Sequence, residues 1–261
     1  MHARAAVFDL YGDHLARRGG WAPIASVVRL LGAVDVRPEA VRTAVSRLSR
    51  EGWLEAHEHD GTRGYAMTPR AERRLSAAWE RIYRSSAPGW DGRWHLVVLA
   101  ERIADRSHRA RVADSLTYLG YARMSADTWI APRPSPELDS AVGEVPVHAF
   151  SAELDGDGRA LAAELWDLAE LTRAYDGFVR WAGTLVPDVD GLDERTAYAR
   201  RTELVHEWRK FLFRDPGLPD AVLPADWAGD RAAACFDRLS SALLPRASAY
   251  VDACLDQQGV S

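Results

Sequence analysis

The sequence predicts an α+β multidomain chain with an N-terminal winged helix-turn-helix, a ferredoxin-like middle domain and an α-helical C-terminal domain. Three observations predict it. Residues 1–84 alternate short amphipathic helices with strong terminators and contain an Asp-Gly hairpin, residues 94–131 read strand, helix, strand, strand, and from residue 159 onward apolar residues recur at helical spacing. The expected domains are residues 1–86, 87–153 and 154–261, the first ending in the linker-like SSAPG at 85–89. A chain of 261 residues exceeds what one small core organises, which agrees with several domains.

In residues 4–17, Val7, Leu10, Tyr11 and Leu15 sit at helical spacing, and Gly19-Gly20 ends the run. Pro23 starts a second short helix with Ile24, Val27, Val28 and Leu31 on its apolar side. After the turn at 32–37, Pro38 starts a third helix that runs to about Glu51 and stops at Gly52. Residues 53–59 then alternate, Asp60-Gly61 offers a tight reversal, and 64–67 return as the second arm of a hairpin. A charged amphipathic helix with Leu75, Trp79 and Ile82 follows from Pro69 to about Arg84. Three helices, a hairpin and a closing helix are the parts of a winged helix-turn-helix.

In the middle domain the expected strands are 94–100, 121–124, 128–131 and one within 145–152, with a helix at 105–119; the prolines at 132, 134 and 136 mark a loop. The last domain is read as helices at 159–177, 194–212 and 230–254. Between the last two, RDPGLPDAVLPADWAG is too rich in proline to be helical. It is either a packing element anchored by Trp227 or part of a ligand pocket.

A hydrophobic fraction of 47% and a charged fraction of 27% describe a globular protein. Apolar runs such as 96–100 are far shorter than the roughly 20 residues of a bilayer span, so no membrane partner is expected. MHARAAVFDLYGDHLARR lacks a secretory apolar core, which places the protein in the cytoplasm. Cys235 and Cys254 stand outside any CxxC or Cys/His cluster and read as buried thiols, with no zinc, other metal or cofactor implied. The net charge of -5 conceals a split: residues 1–86 hold 14 Arg against 10 acids, and residues 87–261 hold 19 basic residues against 28 acids. A basic amino-terminal module on an acidic protein fits polyanion binding through that module.

Projected at about 100° per residue, the third helix places Val41, Ala44, Val45 and Leu48 on one side. Arg42, Thr43, Ser46, Ser49 and Arg50 gather on the other, with Arg47 at its flank and no acid in the arc. By itself such a face is more often the wet side of an ordinary helix. The short helix and turn before it and the hairpin after it favour a helix set into a DNA major groove, with Arg37 at its start and Thr62 and Arg63 at the wing. Arginine forks and short hydroxyls suit phosphate oxygens and base edges.

FDLYGDHLARRGG and VVRLLGAVDVRPEAVRTAVSRLSREGWLE resemble the amino-terminal module of the PaaX-type transcriptional repressors, named for control of phenylacetic acid degradation. WDGRWHLVVL and LGYARMSADTWIAP resemble that family's Cas2-like middle domain, and HEWRKFLFRDPGLPDAVLPADWAG its carboxy-terminal domain, so the likeness covers nearly the whole chain in order. It implies a homodimeric repressor of an aromatic-acid catabolic operon, reading a roughly palindromic double-stranded DNA operator. It also implies release by an aryl-acyl-CoA such as phenylacetyl-CoA. By position in VRTAVSRLSREGW it assigns DNA reading to Arg42, Thr43, Ser46, Arg47 and Arg50.

The rival class is an enzyme, a metal-dependent nuclease or a CoA-handling protein. The Cas2-like segment ends its first strand without the aspartate a nuclease of that kind would place there: Asp91 precedes the strand, and Glu101 is followed by Arg102. Glu203, His206 and Glu207 share one helix face, as a metal or acid/base cluster would, or as a surface group paired with Arg200 and Lys210. Arg180, Trp181, Trp208 and Arg209 are the candidate effector contacts, because an aryl group needs aromatic walls and CoA phosphates need arginine. No catalytic residue is expected.

Overall fold

The structure is a computed structural model of the chain and describes residues 1–82, 89–185, 189 and 191–256. Residues 85–88 of the expected linker at 85–89 and the helix end at 83–84 lie outside the described residues, as do the side chains of Trp79 and Ile82. In chain order the elements are α1 (Ala3–Leu10), a π-helical turn (Tyr11–Leu15), a 3-10 turn (Ala16–Arg18), β1 (Trp21–Pro23), α2 (Ile24–Gly32), α3 (Pro38–Arg50), β2 (Leu54–His59), β3 (Thr62–Met67) and α4 (Pro69–Ile82). Then follow β4 (Arg93–Leu99), α5 (Arg106–Tyr118), β5 (Ala122–Arg123), β6 (Thr128–Ala131), α6 (Leu138–Val142), β7 (Val147–Glu153) and α7 (Gly158–Leu165). The chain closes with α8 (Leu168–Leu185), α9 (Glu194–Trp208), 3-10 turns at Arg209–Phe213 and Asp220–Val222, and α10 (Ala228–Asp256).

Packing divides the chain into two compact units that are not contiguous in sequence. One combines Met1–Ser86 with Phe178–Lys210 and Arg231–Ser261; the other combines Ala87–Gly177 with Phe211–Asp230.

In the first unit, Pro38 supplies a preset φ at the first position of α3, and its apolar stripe Val41, Ala44, Val45 and Leu48 is buried as the periodicity predicts. These side chains share a core with Val7, Leu10 and Tyr11 of the first helix and Val27, Leu30 and Leu31 of α2. Tyr198, Ala247 and Val251 from α9 and α10 belong to the same cluster. Each fully buried Val or Leu contributes roughly 1.5–3 kcal/mol of transfer free energy, so a core built from all five helices ties them into one body. The strands form an antiparallel sheet in the order β1-β3-β2. The hairpin closes on Asp60 and Gly61 with φ of 48° and 75°, the two positive values a two-residue type I′ turn requires. The third strand, β1, takes the first residue of the expected second helix, Pro23, together with the two before it: Trp21 pairs with Ala66 and Pro23 with Gly64.

In the second unit the order β5-β6-β4-β7, all antiparallel, places the first strand of a β-α-β-β-α-β run between the third and the fourth, the ferredoxin-like arrangement. Val97, Leu99, Val112, Leu116, Tyr121 and Trp129 fill its core. The five-residue α6 is too short to leave a period in the sequence. The expected helix at 159–177 is two helices, because Trp166 is extended at φ -120°, ψ 138°. The expected helix at 194–212 ends at Trp208 and tightens into a 3-10 turn. The proline-rich 214–229 segment packs within this unit: Leu218, Val222, Leu223 and Trp227 are buried, and Trp227 meets Tyr175 edge-on at 5.9 Å. Gly120 lies against it at φ 89°, where a Cβ would stand 2.8 Å from the Pro216 carbonyl oxygen.

Candidate nucleic-acid interface

With the apolar stripe of α3 buried, Arg42, Thr43, Ser46, Arg47 and Arg50 are all exposed and Ser49 is half-buried. Arg37, the residue before the helix, is exposed as well. None of these arginines is ion-paired among the described residues, whereas Glu51, the acid just past the helix, is held by Arg4 at 2.6 Å. Glu39 stands exposed in the first turn, where a carboxylate favours the helix dipole, so the face is free of acid from Arg42 onward. The Thr43 hydroxyl donates to the Glu39 carbonyl at 2.8 Å, one turn earlier on the helix.

Thr62 is half-buried and Arg63 exposed at the start of β3, opposite His59 and Glu58. The Trp21 indole N–H donates to the His57 carbonyl at 3.3 Å and its ring lies 5.3 Å from that of His59, so β1 braces the hairpin's far strand. Gly64 makes this possible: a Cβ there would fall 2.5 Å from the Ala22 carbonyl oxygen and 2.7 Å from the Trp21 ring. Six exposed cations or hydroxyls on one helix start and face, beside an arginine on a braced hairpin, form a surface that can hydrogen-bond phosphates and base edges.

Of the four residues chosen for an effector, one is buried in the core and one is engaged by a carboxylate. Trp181 and Trp208 both lie against Phe178, at 5.8 and 5.1 Å between ring centres, and Trp208 is buried and stacks on Phe236 at 4.9 Å. Arg180 is exposed, while Arg209 is turned to Asp9 with Nε 2.7 Å from Oδ1. The Glu203, His206, Glu207 group separates too. Glu203 pairs with Arg200 at 3.0 Å and Glu207 with Lys210 at 2.5 Å, but His206 Nδ1 meets Asp9 Oδ2 at 2.7 Å. No cluster of metal-ligating side chains occurs among the described residues.

Sequence reasoning missed a buried charge group in the first unit. Asp13, in the π-helical turn, receives Arg201 through two prongs, Nε at 2.8 Å and Nη2 at 2.7 Å, and the third guanidinium nitrogen donates to the Ser240 carbonyl. Both side chains are only 2–3% exposed. Beside them His14 is buried against Tyr198, its Nε2 3.2 Å from Asp13 Oδ2 without hydrogen-bond geometry. Burial, more than any neighbour, pushes the His14 ring down to about 4, and burial likewise pushes the Tyr198 hydroxyl up. The signal in the sequence is slight: Asp9 and Asp13 fall one turn apart on the helix that carries Val7, Leu10, Tyr11 and Leu15.

Three family models match the chain in order: PaaX-like protein over residues 2–71, PaaX protein central Cas2-like domain over 87–161, and PaaX-like protein C-terminal domain over 166–253. The transcriptional repressor PaaX of Escherichia coli (strain K12) is 30% identical over 263 aligned residues, covering 94% of this chain and 81% of that protein. Among solved structures, an uncharacterized protein from Mycobacterium tuberculosis superposes with a TM-score of 0.62 at 23% identity, covering 97% of this chain and 98% of its own, a likeness of fold. Matched by all three models along its length and by a curated relative across most of both sequences, this chain belongs to the PaaX family.

Proposed function

We propose that the chain is a DNA-binding transcriptional repressor of the PaaX type, acting in the cytoplasm as a homodimer. In this reading residues 1–86 are a winged helix-turn-helix, 87–153 a Cas2-like module and 154–261 the dimerisation and effector module. The observation that carries it is the face of α3: Arg42, Thr43, Ser46, Arg47 and Arg50 exposed together, the arginines without an ion pair among the described residues and with no acid between them. The sheet order β1-β3-β2 with Thr62 and Arg63 on its hairpin supports a wing, and the likeness to the Escherichia coli transcriptional repressor supports the role. Arg37, Arg42 and Arg50 hold phosphates and Arg47 and Ser46 read base edges, while Arg63 and Thr62 grip the backbone beside the groove.

Two such helices match half-sites about 34–36 Å apart or a multiple of that. An aryl-acyl-CoA such as phenylacetyl-CoA releases the operator by favouring a geometry in which that match is lost; a ligand binding both geometries equally would release nothing. The controlled genes are then an aromatic-acid catabolic operon. Gel shifts with the chain's own upstream region, with and without phenylacetyl-CoA, test the reading. Sequence-specific binding relieved by the thioester supports it, and absence of specific binding refutes it.

A further inference from the structure

We infer that the position of α3 is set from the carboxy-terminal helices, with Arg201 as the positioning residue that grips the first helix through Asp13. The inference rests on the reading of α3 as the DNA-facing element. Two helices support α3, and each is held by a polar tie to a helix near the end of the chain. On the first, Asp13 is clasped by Arg201 of α9, and one turn earlier Asp9 takes His206 of the same helix at 2.7 Å. On the second, the buried Ser26 hydroxyl donates at 2.8 Å to the carbonyl of Cys254 near the end of α10, and Arg29 reaches the same oxygen at 3.3 Å. All of these residues lie in one compact unit with α3, although up to 228 positions separate the partners.

The chemistry argues that the Arg201–Asp13 pair is there for direction more than for stability. Both charges are almost wholly out of water, and a buried ion pair of this kind is commonly no more stabilising than well-packed apolar side chains of similar volume. A two-pronged guanidinium–carboxylate contact fixes distance and angle together, which an apolar contact does not. The carboxylate is carried on a π-helical turn, a rare departure from α-helical winding that tends to mark sites with a role beyond packing. A shift of α9 or α10 therefore moves the helices under α3 as a lever moves its load, without any ligand touching the DNA face.

The test is the full chain carrying Asp13→Val with Arg201→Met, which removes both charges together. The expected result is a thermal midpoint equal to or above that of the unsubstituted protein, faster amide exchange across residues 38–50, and a Kd for the upstream DNA weakened by at least about fivefold, the low end of coupling between sites. Arg201→Lys keeps a cation for Asp13 but not the two-pronged contact, and it is expected to show the same changes to a smaller degree. It decides the question if the double variant does not fold. A folded variant with unchanged exchange and unchanged Kd overturns the inference, as does a Kd that weakens only in step with a falling midpoint. Should the unsubstituted protein show no specific DNA binding, the repressor reading fails, and exchange across 38–50 alone decides for or against the tie.

Discussion

Burial holds the His14 imidazole near 4, against an ordinary value of 6.5, because a protonated ring would lose water with little in return. The unfolded chain takes up a proton at this ring as pH falls through about 6.5, while the folded chain refuses it until about pH 4. Stability is therefore complete above pH 6.5 and declines below it, by about 3 kcal/mol once pH 4 is passed. His14→Phe, which keeps a ring against Tyr198, is expected to flatten the difference in urea midpoint between pH 7 and pH 4.5 relative to the unsubstituted protein. An equally steep decline in the variant would show that the ring is not the group responsible. Little of this is legible in the sequence, since His14, Asp13 and Asp9 resemble the polar face of a solvated helix until their partners, nearly 200 positions away, are brought to them.

At the scale of elements, α3 was legible because one thirteen-residue run carries a preset proline start, a clean apolar stripe and a glycine stop, all local signals. The β1 strand was not, since three residues ending in proline leave no alternation; it exists because β3 offers an edge and Gly64 lets Trp21 approach. Gly64→Ala is accordingly expected to cost about 1–3 kcal/mol, read as a lowered thermal midpoint, because the new Cβ meets a backbone oxygen that cannot step aside. A midpoint within experimental scatter would remove the bracing argument. On α3 itself, Arg47→Ala and Arg42→Ala are each expected to weaken specific DNA binding, with Arg47→Ala costing roughly 1–3 kcal/mol of discrimination if its fork reads a base. Arg123→Ala serves as the control. That guanidinium is occupied with the carbonyls of Ser125 and Ala126 at 2.8 and 3.0 Å, so equal losses at all three positions would sink the assignment of the helix.

Across the whole molecule the charge is uneven: the first 86 residues are net basic, while the other 175 are net acidic and repel a polyanion. Composition alone carried that much, and the strand, helix, strand, strand run that suggests a ferredoxin-like middle domain was legible from its spacing. The packing of α9 and α10 with the amino-terminal helices was not, because it depends on contacts between the two ends of the chain. Affinity for DNA in such a protein comes through arginine contacts to phosphates, so it should fall with salt, each phosphate contact contributing about 0.9 to the slope of log K against log salt. Arg63→Ala, on the hairpin, is expected to lower that slope by about one per protomer while leaving the ratio of specific to non-specific binding unchanged. Titrations between about 50 and 200 mM salt measure both quantities. A slope that stays the same, or a ratio that falls with it, would place Arg63 away from the phosphates and take the hairpin out of the interface.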